Sequence, residues 1–185
     1  MDAIETERLV LRAYTDADAP RVLDILSRMD VIRWLGSPPY VPMASLDEAK
    51  AWVARQNREV AIAPFERTYA IEVRDTGVMA GSAMISRVTR LDADEWEGEY
   101  EVGWHLHPDS VGHGYATEAA AAVLDEAFSR GLEQVWCGMF PDNEASARVA
   151  VKLGLHELGF GPDPWYGDIG HLFEATRAWW LARQA

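Results

Sequence analysis

The sequence predicts a mixed α/β domain, and three observations carry that prediction. Short runs that alternate apolar and polar residues recur along the chain; stretches with helical spacing, each with its own cap or stop, are interspersed among them; and no repeat, low-complexity tract or linker divides the 185 residues. A chain of this length can bury one core of ordinary size, so residues 1–185 are expected to form a single domain.

The elements follow in order. "RLVLRAY" (8–14) alternates as a half-buried strand does, and "TDADAPRVLDIL" (15–26) adds a capping threonine, early acids and helical spacing. "WLGSPPYVP" (34–42) carries three prolines and reads as irregular; "SLDEAKAWVARQNREV" (45–60) is a second helix with Ser45 as its N-cap. Two alternating runs in "TYAIEVRDTGVMAGSAMISRV" (68–88) meet at Asp75 to Gly77 and predict a β-hairpin. "EGEYEVGWHLH" (97–107) is a further strand. From Ala116 to Arg130 the apolar positions Ala116, Ala119, Ala120, Val123, Leu124, Ala127 and Phe128 form a helical stripe, which Gly131 stops.

Composition narrows the function. A formal net charge of -13 argues against nucleic acid or a membrane surface as partner and favours cationic or amine-bearing ones. The single cysteine, Cys137, excludes an internal disulfide and a cysteine-rich metal site and suggests a reducing, cytoplasmic setting. The acidic start "MDAIETERLV" is unlike a signal peptide, and no apolar run is long enough to span a bilayer, so a soluble protein is expected.

"SVGHGYATEA" (110–119) places two glycines directly before the predicted helix. Free N–H groups and the positive end of the helix dipole make such a point a phosphate site, while glycines let the backbone approach it closely. A dinucleotide fingerprint would need a third glycine and a nucleotide-triphosphate loop a lysine, and both are missing. The same two glycines would also serve an ordinary strand-to-helix turn.

Gly112-His113-Gly114-Tyr115-Ala116-Thr117-Glu118-Ala119 resembles the pyrophosphate-binding loop of the GNAT superfamily of acetyl-CoA-dependent N-acetyltransferases, and more narrowly its RimJ/RimL branch. The blocks that resemble that branch run in order along the chain: "TERLVLR" (6–12), "YEVGWHLHPDSVGHGYATEA" (100–119), which contains this loop, and "NEASARVAVKLGL" (143–155). The resemblance implies a GNAT fold, a mixed and mostly antiparallel sheet flanked by helices. It implies acetyl-CoA as cosubstrate, no metal, and coenzyme A contacts from Val111, Gly112, His113, Gly114, Tyr115, Ala116 and Thr117, largely through main-chain N–H. Val111 departs from the family's usual glutamine, arginine or tryptophan, which is expected to alter affinity. Asn143 and Ser146 map onto residues that contact the pantetheine arm and the thiol, and Ser146 is thereby implied as hydrogen-bond donor to the leaving thiolate. The tyrosine that many members place further along this helix is absent, since Val149, Ala150 and Val151 stand there. Asn143 is also a plain N-cap candidate, and Ser146 could equally be a solvated helix residue.

Strand alternation puts Tyr100, Val102, Trp104 and Leu106 on one face and Glu99, Glu101, Gly103, His105 and His107 on the other. Acetyl transfer needs a neutral amine, yet a lysine side chain titrates near ~10.4 and an α-amino group near ~8. Glu101, at the family's glutamate position, is the candidate general base; the alternative is that it only orients the substrate ammonium. His105 lies about 13 Å from Glu101 along a regular strand, so the two share a proton only if Gly103 forms a bulge. No third metal ligand accompanies the His-x-His pair, which leaves solvent-facing or hydrogen-bonded imidazoles.

His113, Arg148 and Lys152 are candidate phosphate contacts. Trp34, Tyr40 and Trp52 fall in the segment that covers the acceptor in this family, where packing is the competing role. Cys137, in "QVWCGMF" (134–140), has no evident base and reads as a buried inert thiol rather than an acyl carrier. The resemblance implies transfer to a protein N-terminal α-amino group. A small polyamine or other cationic metabolite is the alternative acceptor, and a non-catalytic acyl-CoA sensor the alternative function. A homodimer is compatible with each.

Overall fold

The computed structural model describes residues 2–59 and 63–183. One sheet of eight strands organises the chain, in the order β1-β2-β3-β4-β5-β6-β8-β7. The strands are β1 (Ile4–Glu5), β2 (Leu9–Arg12), β3 (Arg67–Val73), β4 (Met79–Arg87), β5 (Tyr100–Leu106), β6 (Gln134–Met139), β7 (His156–Pro162) and β8 (Ile169–Thr176). Every neighbouring pair is antiparallel except β5 and β6, which run parallel and meet at a single residue pair, Glu101 and Trp136. Beyond that pair the two strands have no partner in each other, and the sheet opens. The mixed, mostly antiparallel sheet is the architecture the resemblance implied.

Helices α1 (Ala19–Leu26), α2 (Met29–Ile32) and α3 (Leu46–Glu59) surround one core cluster, and α4 (Tyr115–Ser129), α5 (Glu144–Leu153) and α6 (Arg177–Ala182) surround the other. The period of two in β3 divides its side chains between them: Ala70 faces the cluster of Tyr14, Val22, Ile25 and Val53, while Ile71 faces that of Leu11, Leu124, Phe128 and Trp180. The predicted stripe of α4 is buried as a whole, and its alanines bring the helix axis close to β4 and β5. Each large apolar side chain removed from water here is worth ~1.5–3 kcal/mol.

Local signals explain the ends. Ser45 Oγ accepts the Glu48 N–H at 3.2 Å and starts α3; Val60, the last residue of that predicted helix, lies outside the described residues. Thr15 and Asp18 form a capping box, but on a short 3-10 turn (16–18) that precedes α1, so the predicted single helix is two elements. Asp18 is also gripped by Arg12 at 2.8 Å. Among the described residues no cluster of His, Cys, Asp and Glu is arranged to hold a metal ion, and no helix is long and apolar enough to cross a membrane.

Candidate active site

Where β5 and β6 part, a cavity of about 800 Å³ enters the sheet. It is lined by β5 and the end of β6, the loop into α4, one face of α5, the connection between β7 and β8, residues 30–36 around the end of α2, and Met84 of β4.

The loop into α4 is held open by glycine. Gly112 and Gly114 both have positive φ, 85° and 81°, and Gly114 is the N-cap of α4. A side chain at either position would strain the backbone. Val111, Gly112, Gly114, Tyr115, Ala116 and Thr117 line the cavity, whereas His113 does not. The His113 ring stacks on Tyr115, and its carbonyl accepts a 2.8 Å hydrogen bond from Arg8 Nη1. Arg8 also donates from Nε to Glu118 Oε2 at 2.7 Å and from its backbone N–H to Oε1, and Thr6 Oγ1 donates to the same Oε1 at 2.6 Å. Burial works against ionisation of Glu118, but these donors outweigh it and hold the carboxyl below its ordinary value. Thus Thr6, Arg8 and Glu118, drawn from two of the sequence blocks, form one brace behind the loop into α4. His107 anchors the approach to that loop: its Nδ1 accepts the Asp109 N–H at 3.1 Å, and its Nε2 meets Asp24 of α1 at 3.0 Å.

Asn143 caps α5, its Oδ1 accepting the Ser146 N–H at 3.2 Å, and Gly154 ends the helix with φ 71°. Asn143 and Ser146 both line the cavity, as do Arg148 and Lys152. The Ser146 hydroxyl has no hydrogen-bond partner among the described residues.

At the other end stands Glu101. It is half-buried, and Tyr166 donates its phenolic O–H to Oε1 at 2.7 Å. Burial pushes the carboxyl up to about 7; the Tyr166 hydrogen bond opposes that rise, and the negative charge of Asp163 adds to it. Asp163 Oδ1 accepts the N–H groups of Trp165 and Tyr166 at 2.9 and 3.0 Å, which fixes the β7–β8 connection, and Trp165 Nε1 reaches Glu99 Oε2 at 2.9 Å. Glu99 and Glu101 project from the same face of β5, so two aromatic residues tie this connection across it.

His105 occupies the same face. Its Nε2 lies 3.0 Å from Ser82 Oγ, which in turn bonds to the Tyr14 hydroxyl. The buried Tyr14 hydroxyl, Ser82 Oγ and His105 Nε2 form one hydrogen-bonded chain, which leaves the Nδ1 of the ring outside it. That Nδ1 is buried and unpartnered. Burial pushes the imidazole down to about 4, so it is neutral. The β4–β5 ladder runs from Gly81 and Leu106 to Arg87 and Tyr100 without a shift; Gly103 forms no bulge, and His105 does not share a proton with Glu101.

Of the three aromatics expected over the acceptor, Trp34 lines the cavity. Tyr40 borders a separate small groove, and Trp52 packs edge-on against Tyr14 at 5.0 Å, so these two are packing residues. Cys137 lines the cavity, but burial and the nearby Glu101 push its thiol well above the ordinary range, which leaves it an inert side chain. The sequence reading missed Asp163, Trp165 and Tyr166, which lie more than sixty residues beyond Glu101 and carry no local motif.

Comparison with known proteins agrees with this geometry. Relatives include the uncharacterized N-acetyltransferase YoaA of Bacillus subtilis, 29% identical over 161 residues and matched across 84% of each chain. An acetyltransferase structure from Agrobacterium tumefaciens superposes with a TM-score of 0.73 at 25% identity, covering 95% of each chain. RimL, the ribosomal L7/L12 alpha-N-protein acetyltransferase, solved in complex with coenzyme A, gives a TM-score of 0.74 at 19% identity over 95% of this chain and 98% of that one. Residues 8–156 match the family model described as the acetyltransferase (GNAT) domain, and the chain therefore belongs to the GNAT family of acetyltransferases, with acetyl-CoA as cosubstrate and an amine as acceptor.

Proposed function

We propose that this chain is a single acetyltransferase domain of the RimJ/RimL type that moves acetyl directly from acetyl-CoA to a primary amine, in the first place the α-amino group of a protein N-terminus. The observation that carries the reading is a carboxyl at about 7, Glu101, in the same cavity as a helix N-terminus lined by main-chain N–H groups. An ordinary carboxylate is too weak a base for an ammonium group, and the raised Glu101 is closer in strength to an α-amino group near ~8.

The residues fit coenzyme A. Residues 111–117 present N–H donors and the positive helix end to a pyrophosphate, with Arg148 and Lys152 on the adjoining wall. The gap between β5 and β6 admits an extended arm toward Glu101. The acceptor ammonium gives a proton to Glu101, directly or through one water, and the freed lone pair attacks the thioester carbonyl carbon. The C–S bond then breaks and the attacking nitrogen gives up its second proton to the departing sulfur or to solvent, which leaves a neutral amide. The sulfur leaves toward the Ser146 hydroxyl, which donates a hydrogen bond to it, and Glu101 returns its own proton to solvent.

Two observations support a cationic acceptor: the acids Asp30, Glu101, Asp163 and Asp168 line the cavity away from α5, and α5 supplies both of its Lys and Arg residues. RimL, similar in fold, is an alpha-N-protein acetyltransferase, which supports the N-terminal α-amine first and a small polyamine second. The test is release of free coenzyme A thiol from acetyl-CoA at mildly alkaline pH against N-terminal peptides, polyamines and small amines. Turnover with the peptides is the expected result. Silence across all three groups from a protein that binds acetyl-CoA would overturn the reading in favour of a non-catalytic binding module.

A further inference from the structure

We propose that Asp163 forms a cation subsite beside Glu101, so that the preferred acceptor carries a second positive charge a few bonds from the nitrogen that is acetylated. The proposal rests on the acetyl-transfer reading above and narrows its acceptor.

Asp163 is 6% exposed and lines the cavity. Its Oδ1 is taken by the two N–H groups of Trp165 and Tyr166, but Oδ2 accepts no hydrogen bond, and no Lys, Arg or His among the described residues pairs with it. Two glycines make room for the carboxylate at Oδ2. A Cβ at Gly138 would stand 2.9 Å from that oxygen and one at Gly170 3.1 Å from it. A recessed carboxylate with one oxygen bare is unfavourable unless a cation or donor meets it. Because Asp163 lines the cavity, a ligand in the cavity can supply that partner.

One ammonium does not fill that need. The reacting nitrogen must become neutral before it attacks, and from that moment it no longer offsets the charge of Asp163. A second ammonium or guanidinium on Oδ2 stays charged throughout. It also favours the ionised form of Glu101, since an opposite charge nearby counters the effect of Asp163 on that carboxyl. The ligand chemistry is therefore a dicationic amine, met either in a small diamine or in an N-terminal residue with a basic side chain.

The experiment measures binding and turnover in parallel. Calorimetry on the protein saturated with coenzyme A compares 1,4-diaminobutane with 1-aminobutane, and a dipeptide amide beginning with lysine with one beginning with norleucine; thiol release from acetyl-CoA is followed with the same four amines. The dication of at least one pair is expected to bind about 10-fold more tightly than its partner, and which pair shows the ratio names the source. Asp163→Asn keeps an oxygen for the two turn N–H groups and should bring that ratio to about one. Gly170→Ala, which keeps the carboxylate but crowds Oδ2, should lower it in part. Equal binding within both pairs in the wild-type protein, or a ratio unchanged in Asp163→Asn, overturns the subsite. Measurable thiol release that is equal within both pairs at subsaturating amine likewise overturns the subsite but leaves acetyl transfer standing. Selective binding with no thiol release supports the subsite and removes the acetyl-transfer reading.

Discussion

At the end of the cavity proposed for coenzyme A the groups on offer are main-chain N–H donors between Val111 and Thr117; at the end proposed for the acceptor they are side chains, Glu101 and His105 from β5 and Asp163 and Tyr166 from the β7–β8 connection, brought from two separate parts of the chain. The first end is one contiguous loop whose shape is set by two positive-φ glycines and a helix start. The second exists only after β5, β6, β7 and β8 have paired. Main-chain donors look the same whatever side chains they carry, so Val111 can depart from the family's usual residue without removing the donor. Side-chain groups have no such tolerance. A change at the acceptor end should alter rate and pH dependence, and a change at the loop should alter affinity for acetyl-CoA.

The largest effect is expected at Glu101. Glu101→Gln removes the proton acceptor and should lower kcat by roughly 10²–10⁴-fold, with the KM for acetyl-CoA unchanged. In the wild-type protein kcat/KM should rise with pH through about 7 as Glu101 ionises, and that limb should vanish in the variant. A pH–rate profile that keeps the limb in Glu101→Gln would sink the base assignment and leave Glu101 as an orienting residue. Ser146→Ala comes next. A hydrogen bond to a departing thiolate is a bond to a charged group, worth ~1.5–3 kcal/mol, so kcat should fall by roughly 10- to 100-fold. Turnover equal to wild type would return Ser146 to the role of a solvated helix residue.

Gly114→Val tests the other end. A β-branched residue at φ 81° is strained by ~1–2 kcal/mol, which favours a shift of the loop, while its Cβ makes only ordinary contact with Arg8 Nη2 at 3.4 Å. The KM for acetyl-CoA should rise about 10-fold while the acceptor KM stays within about twofold. If both constants rise together, the two ends are mechanically coupled and the division drawn here fails.

The same division explains what could be read in the sequence. Three blocks signalled the loop, the cap at Asn143 and the strand carrying Glu101 because each is a local pattern with a local cause: glycines before a helix, an asparagine before another, an alternating run. Even the brace behind the loop left a trace, since Thr6 and Arg8 lie in one block and Glu118 in another, although their contacts at 2.6 to 2.9 Å were not legible. The acceptor end left almost none. Asp163 and Tyr166 sit in "GPDPWYGDIG", which reads as an ordinary turn. Its importance arises from the β6–β8 and β7–β8 pairings that bring it over β5, and long-range register is not encoded in any short run of residues. His105 shows the same limit. Alternation assigned its face correctly, but the chain through Ser82 to Tyr14 that leaves Nδ1 unpartnered depends on a cross-strand pair and on a residue before α1.

Tyr166→Phe is the smallest of these perturbations and the sharpest probe of the acceptor end, since it removes one oxygen and little volume. The phenol is pushed above its ordinary range by burial and by Glu101, so across the accessible pH range it remains a donor. Its hydrogen bond to Oε1 favours the ionised carboxylate and lowers a value that burial has raised. Without it Glu101 should titrate higher, and the acid limb of kcat/KM should move to higher pH. The sign follows from the base role: only the deprotonated form accepts the acceptor's proton, so the variant should be slower below and near the wild-type midpoint and approach wild-type rates at alkaline pH. A uniform loss at every pH would mean that Tyr166 positions the acceptor rather than tuning Glu101, and an unmoved limb with full activity would mean that the β7–β8 connection is a wall rather than a working part of the site.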